Sequence, residues 1–393
     1  MPWIARSRAL CEDCRFVGYR AVPYINYIGH YYSLKRNYFE FCTGVVVNTG
    51  SHVFYVNNEL VGRREFAAAE DDLHGLFARD RSYMANNIVS GMGSVVDNND
   101  GEALCVEVPN AYFNSGRVLT GTGNVLTVEP QVKLTTPLVQ FGHLAVTIVG
   151  GRGLGQLRPV AGIDANSNSI SVTIPWSVVP DSTSTFALIL PLDQVTFYRN
   201  SISDCWKGLW FFGNSFDSVQ AENISNGTEG SFVWTERNPG TLIPGYYVRI
   251  ARNQIAGVSP KSHHGGISCY TGQPDREATF KSVMAYNFEV LYNTISGIPQ
   301  AKPVNATEAP PYSGLAIVAA ARGVLGHGGA TSGSGTNTIL YGNHLTNLAA
   351  GVTIDYSLDG TVIMKNTYTG TVPEFLQNEG GGLHEVVLSN EQT

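Results

Sequence analysis

Asp71, Asp72, His74, Asp100, Glu102, Lys207, Glu229, His263 and His264 share one kind of position: each lies within a few residues of a glycine that opens a short apolar run. Two carboxylates on neighbouring segments are what glycosidic cleavage needs, one protonated as the acid and one ionised as base or nucleophile. A histidine beside them tunes the acid or serves as the base. Asp100 and Glu102, which lead into the apolar Ala103 to Val106, are the expected catalytic pair, with Asp72, His74 and His264 in support. Arg64, Lys207 and His263 are expected to bind substrate, and Trp206, Trp234 and Tyr270 to stack on sugar faces. Trp210, in strand phase, is expected in the core. Acidic residues at corners also cap turns, so the assignment depends on elements that bring these positions together.

Those elements are readable from a repeat. Thr196 to Phe211 reads as a short apolar strand, a corner asparagine (Asn200), an apolar Ile202, a few loop residues, then Gly208 opening another strand. The pattern returns at Val219 with Asn223 and Gly230. A unit that short cannot bury its own apolar face and must stack on a copy of itself. The same phase places corner asparagines at Asn37, Asn58, Asn87, Asn200, Asn223, Asn253, Asn293, Asn343 and Asn366. Strand-opening glycines fall at Gly44, Gly75, Gly101, Gly208, Gly230, Gly266, Gly314 and Gly351. Asn37 to Asn58 and Asn343 to Asn366 are 21 and 23 residues apart, about one turn of a three-strand solenoid. Stacked asparagines can hydrogen-bond from rung to rung, as their ladders do in stacked β-structure. The expected fold is all-β, a parallel β-helix with coils of about 21–30 residues.

Long insertions, among them those starting at Arg63, Ser94, Ser259 and Gly297, leave the stack after the asparagine strand and return at the glycine. In a solenoid, positions in one phase lie above one another, so these insertions form one wall, where binding surfaces grow. Tyr112 to Leu192 is different: longer alternating strands such as Leu144 to Ile148 and Ser169 to Ile174, Gly- and Pro-rich turns, and no ladder asparagine. It reads as an inserted antiparallel β subdomain. The expected division is 1–111 and 193–372 as coils, 112–192 as the insertion and 373–393 as a fraying polar tail.

Composition narrows the function. The 393 residues are 43% hydrophobic and only 15% charged, with 43 glycines, which suits a β-rich chain with many turns and a large core. A net charge of -7 argues against a nucleic-acid partner, which calls for a basic face. No apolar run is long enough to span a bilayer as a helix, and Met1 to Leu10 carries no signal-peptide core. Ala9 to Gly18 already reads as a coil in mid-stack, so the sequence is expected to lack its natural start. Cys11 and Cys14 form one CxxC with no second half at zinc spacing, so no metal site is expected; Cys42, Cys205 and Cys269 read as small buried apolar residues.

The turn length and asparagine corners resemble the right-handed parallel β-helix proteins of the pectate-lyase-like group. Ile148 to Arg158, Ile174-Pro175-Trp176 and Val179-Pro180-Asp181 are similar to a β module inserted in bacterial members, and Asp100 to Ala103 to a short acidic motif found there. The resemblance implies a secreted or cell-surface protein that acts on or attaches to polysaccharide. It does not extend to the polygalacturonase motifs: Gly326-His327-Gly328 lies in a Gly/Ser run with no Asn-Thr-Asp before it. A mostly acidic corner favours hydrolysis of a neutral glycan. The alternatives are a lyase or epimerase on uronates, which Arg63, Arg64, Arg79 and Arg81 keep open, and a non-catalytic glycan-binding, adhesin or tailspike-like rod. No cofactor is expected, calcium being the alternative, and the oligomeric state is left open.

Overall fold

The computed structural model describes residues 8–18, 30–41, 51–62, 77–78, 80–92, 102–107, 112–134, 144–205, 207–238, 241–258, 266–270, 282–297, 313–318, 335–348, 350–354, 358–370, 374–378 and 386–392. Among them every regular element is a β-strand. Two 11-stranded sheets run through all the described coils, an 8-stranded sheet joins them from Phe77–Ala78 on and a short 6-stranded sheet from Leu192–Asp193 on, with strands of successive coils paired in parallel. This is a parallel β-helix. We call the two long sheets I and II, the 8-stranded sheet III and the 6-stranded sheet IV, in the order in which a coil visits them.

The corner from sheet I to sheet II is the most regular feature. It always has two residues, as in Thr196–Tyr198, then Arg199 and Asn200, then Ser201–Ser203. The first of the two has a left-handed backbone in every coil, from Asp13 at φ 55° through Arg199 at 54° and Tyr292 at 56° to Lys365 at 54°. The second is the ladder asparagine. Each accepts from the asparagine of the preceding coil through Oδ1, both backbone N–H and Nδ2 donating, and gives its own Nδ2 to a carbonyl of that coil. Left-handed non-glycine residues cost about 1 kcal/mol each, and the fully satisfied ladder offsets that cost. The nine expected asparagines are all in it, and Asn390 adds a tenth rung below Asn366. The C-terminal segment expected to fray therefore supplies strands Glu374–Asn378, Val386–Leu388 and Glu391–Gln392 to sheets III, I and II.

The interior is one apolar column, with Tyr32, Tyr55, Met84, Phe197 and Ile250 from sheet I, Leu60, Val89, Ile202 and Ile295 from sheet II, and Val106, Phe211 and Val233 from sheet III. Ser225, the polar exception after Asn223, is buried and satisfied by the Thr228 hydroxyl. The glycine column is real from Gly208 on: pairings set Gly208, Gly230, Gly266, Gly314 and Gly351 side by side. A Cβ on Gly230 would lie 2.1 Å from the Gly266 carbonyl oxygen. One rung earlier the pairing of Glu102 with Lys207 sets Ala103, not the expected Gly101, against Gly208.

The insertion is a closed six-stranded antiparallel barrel, from Tyr112–Gly121 to Thr185–Ile189, filled by Val118, Leu126, Ile148, Ile170, Phe186 and Leu188. The rod continues past it unbroken, since Thr196 pairs with Tyr83 and Asn87 with Asn200. The stack resumes at Leu192–Asp193. Val149, Ala187 and Ile189 of the barrel share a second core with Phe216, Tyr246 and Met284 of the rod, and the Tyr247 hydroxyl donates to the Gly155 carbonyl at 3.2 Å.

Candidate functional site

Loop placement shows where the rod can hold a ligand. The sheet I to II corner never exceeds two residues. From residue 63 on, every long connection instead meets one end of a sheet III strand, whereas residues 19–29 and 42–50 join a sheet II strand to the next sheet I strand. Before a sheet III strand come residues 63–76, 93–101, 259–265 and 298–312; after it come the barrel, the hairpin Glu236–Asn238 with Thr241–Ile243, and residues 271–281 and 319–334. Sheet III is thus the face whose strands run between two sets of insertions, of which the sequence suggested only the first as a wall. The side chains of Arg64, Asp72, His74, Asp100, Trp206, His263 and His264 lie outside the described residues, as do Asp71 and the glycines expected at 44, 75 and 101.

The remaining expected residues come together on sheet III. Glu102, Lys207 and Glu229 are in register on three consecutive strands. Further along the same strands, Phe212, Trp234 and Tyr270 form a second such row, which Glu107 precedes and Val318 follows. Successive strands are about 4.8 Å apart, so each row is a line of strand positions parallel to the rod axis.

Between the rows the strand alternation separates two apolar layers. Leu209, Phe211 and Val233 join the interior core, whereas Cys105, Trp210 and Phe232 form a distinct cluster with Phe212 and Trp234 packed on it. Trp210 is buried, as expected, but not in the rod interior. Its ring centroid lies 4.1 Å from Phe232 and 6.3 Å from Phe212, and the Lys207 ammonium sits 4.2 Å above it. Phe212 and Trp234 stack at 5.1 Å and stay partly exposed. Phe212 and Phe232 were missed because single aromatic residues in a strand read as core; only the register shows that they share a face with Trp234.

A second group, also missed, lies where the barrel rejoins the rod. Asp80 and Asp193 occupy one corner position on adjacent coils, and Asp217 stands one residue further on in the next. Asp80 is buried, Asp193 half-buried and Asp217 exposed. Burial, with the charge of Asp217 beside it, pushes the Asp193 carboxyl up to about 6; Arg81 opposes the shift and Asp80 adds to it. Burial also raises Asp217. Such a pair gives one carboxyl that keeps its proton up to about pH 6 beside a second carboxyl, the kind of asymmetry that general acid and base chemistry uses. The sequence signal was present, an acid just before a sheet I strand, but in a phase that the asparagine and glycine ladders do not mark. Among the described residues no group of three His, Cys, Asp or Glu side chains is placed to hold a metal ion, and no helix is long and apolar enough to cross a membrane.

No protein-family model and no curated protein matches the chain. Among solved structures it is similar to PfbA, a surface adhesin of Streptococcus pneumoniae, at 10% identity over 100% of this chain and 69% of that one, with a TM-score of 0.44. It is similar to the Pseudomonas phage phi297 tailspike gp61 at 12% identity, over 88% and 64% of the two chains, with a TM-score of 0.24. The tailspike Gp54 of Acinetobacter baumannii bacteriophage AP22, solved with a capsular saccharide, matches at 7% identity over 91% and 70%, with a TM-score of 0.24. Likenesses this distant carry no residue roles, and the parallel registers establish the fold by themselves.

Proposed function

We propose that this protein is an extracellular carbohydrate-binding β-helix whose ligand lies lengthwise on sheet III. The observation that carries this reading is the row Phe212, Trp234 and Tyr270 on consecutive coils, with Phe212 and Trp234 stacked and partly exposed between two sets of insertions. A pyranose presents a face of C–H groups, and the electron-rich face of an aromatic ring attracts it. A file of such positions along the axis suits a chain of sugars better than a single small molecule. Lys207, with Glu102 and Glu229 on either side in register, supplies polar groups at the other end of the same strands. Glycan-array screening followed by titration of a hit tests the reading. Trp234→Ala should weaken binding about tenfold, the equivalent of roughly 1.4 kcal/mol. Unchanged affinity in a normally folded variant would reject it.

A second reading, glycosidic cleavage, is supported by the placement of Asp193 near Asp217, where burial and the second charge raise the Asp193 carboxyl to about 6. Asp193 would protonate the leaving oxygen and Asp217 act as the base or nucleophile. The pair first suggested by the sequence, Asp100 and Glu102, is the competing assignment, and His74, His264 and Asp72 would assist it. Product analysis on array hits separates them. Loss of turnover in Asp193→Asn with retention in Glu102→Gln supports the barrel-side pair, the reverse supports the sheet III pair, and an absorbance rise from an unsaturated product means elimination from a uronate instead. Ligand bound without any bond cleaved leaves the binding rod.

A further inference from the structure

The CxxC in the first described coil has a place in the ladder that no binding or cleavage reading uses. Cys14 occupies the corner position that an asparagine fills in every later coil, and Asp13 before it has the left-handed backbone of that corner. The Cys14 N–H donates to Asn37 Oδ1 at 3.0 Å, as each ladder residue does to the next. Cys11 faces inward on the strand Ala9–Glu12 that leads into this corner, buried, with its thiol 3.4 Å from the same Asn37 oxygen and the Asn37 Nδ2 donating to its carbonyl at 2.9 Å. The Cys14 thiol donates to the Glu12 carbonyl at 3.2 Å, and it lies near enough to Cys11 to raise that thiol's pKa. Cys14 is exposed, whereas Cys105, Cys205 and Cys269 are buried.

We propose that Cys11 and Cys14 are a thiol–disulfide exchange site, which takes small-molecule disulfides at Cys14 and closes an intramolecular disulfide with Cys11. Three features carry the assignment: one accessible thiol, a second three residues away that bonds to the Asn37 oxygen which also takes the Cys14 N–H, and a backbone corner pinned by that asparagine. The Cys14 thiolate attacks one sulfur of the small-molecule disulfide, the S–S bond breaks, and one thiolate leaves and takes a proton from water. The Cys11 thiolate then attacks Sγ of Cys14, forms the Cys11–Cys14 bond and expels the second small thiolate. Two protein thiols are oxidised and one disulfide is reduced to two thiols, so no other oxidant is required. The closed form would fasten the ends of strands Ala9–Glu12 and Arg15–Val17 across the first described corner. Burial pushes the Cys11 thiol up to about 12, with the nearby Cys14 adding to the shift, so the second step should be the slow one.

The full chain, incubated with glutathione disulfide, quenched in acid and mapped by peptide mass, tests this. The peptide that holds Cys11 and Cys14 should lose two hydrogens, while Cys105, Cys205 and Cys269 stay reduced; Cys42, outside the described residues, is read from its own peptide. Cys11→Ser should stall with glutathione on Cys14, and Cys14→Ser should react at least tenfold more slowly in this peptide. In the wild type, the mixed disulfide should resolve about tenfold faster per pH unit between roughly pH 7 and 9, as the thiolate fraction of a high-pKa thiol rises. A wild-type peptide that keeps one glutathione at equilibrium, takes up two, or takes up none would overturn the proposal, and the wild-type map decides even if a variant fails to fold.

Discussion

Asn200 gives both its backbone N–H and its side-chain Nδ2 to one atom, the Oδ1 of Asn223, each at 2.9 Å. Asn223 in turn donates Nδ2 to the Phe197 carbonyl at 3.1 Å and to Asn253 Oδ1 at 2.9 Å, while its own surface is 1% exposed. Removing this amide leaves two donors and two acceptors in the interior without their partner. Unsatisfied buried groups cost about 1–3 kcal/mol each, so Asn223→Ala should lower stability by roughly 3 kcal/mol or more in chemical denaturation. Asn223→Asp keeps the acceptor but aims a carboxylate at two oxygens. Its folded-state pKa must be raised, so its loss of stability should shrink as pH falls toward about 4 and return as pH rises. An Asn223→Asp deficit that does not change with pH would show that the ladder is not carrying the load assigned to it.

Gly230 stands where two coils touch. Its missing Cβ would sit 2.1 Å from the Gly266 carbonyl oxygen and 2.7 Å from Ile255 Cδ1. Backbone cannot retreat as a flexible side chain does, so Gly230→Ala should cost about 3 kcal/mol, at the upper end of overpacking effects. Gly123 is the control, since a Cβ there meets nothing within 4 Å. Equal melting temperatures for the two variants would refute the account of the glycine column.

How much of this was legible follows from how specific each position is for residue type. The ladder asparagine needs a buried acceptor and donor on a short stem, so only Asn serves, and Asn37 to Asn366 could be read directly. Asn390 escaped because Glu391 and Gln392 follow it where other coils place an apolar residue two positions on. The left-handed residue before each asparagine left no trace: its side chain points to solvent, and Arg199, Glu222, Tyr292 and Lys365 fill it equally. Gly101 misled because Ala103 is small enough to take the place opposite Gly208. The barrel's strands could be read, but its closure depends on Tyr112–Gly121 pairing with both Val125–Val128 and Thr185–Ile189, a long-range choice that local alternation does not encode. On sheet III, Glu102, Lys207, Trp234 and Tyr270 were named in advance; that they form two rows is a matter of register, which the glycine phase gave only in part.

Tyr246 fastens the barrel side of the rod. It is fully buried, its hydroxyl donates to the Val283 carbonyl at 2.6 Å, and its ring meets Phe216 and Tyr286 edge to face at 5.3 and 5.7 Å. Burial raises its pKa well above the usual phenol range, so it remains a donor throughout the working pH range. Tyr246→Phe keeps the ring contacts and deletes the donor, which should cost about 1–2 kcal/mol. Tyr246→Ala empties a core shared by barrel and rod and should cost about 3–5 kcal/mol. Limited proteolysis should then cut within the barrel faster than in the wild type. If Tyr246→Ala destabilises no more than Tyr246→Phe, the shared core does not bind the two parts together.

Asp193 makes a pH prediction whose sign opposes that of four other carboxylates. Asp13, Asp164, Asp181 and Glu222 are held below their ordinary values by hydrogen bonds, the first and last mainly from Arg36 and Arg199, so whatever stability they give is lost as pH falls. Asp193 is raised from 3.8 to about 6, so the folded state holds a proton that the unfolded state has released. Its contribution is complete below about pH 4 and is lost as pH rises through about 6. Two pKa units would correspond to about 3 kcal/mol, and partial solvent access reduces that to roughly 1–2 kcal/mol. Asp193→Asn keeps a neutral group of the same size at every pH. Relative to the wild type it should therefore be close to neutral near pH 4 and more stable by roughly 1–2 kcal/mol at pH 7 to 8. The difference between the two denaturation curves cancels the other carboxylates. A difference that is flat with pH, or that favours the wild type at pH 8, would mean that Asp193 carries no proton at pH 5, and the cleavage reading would lose its acid.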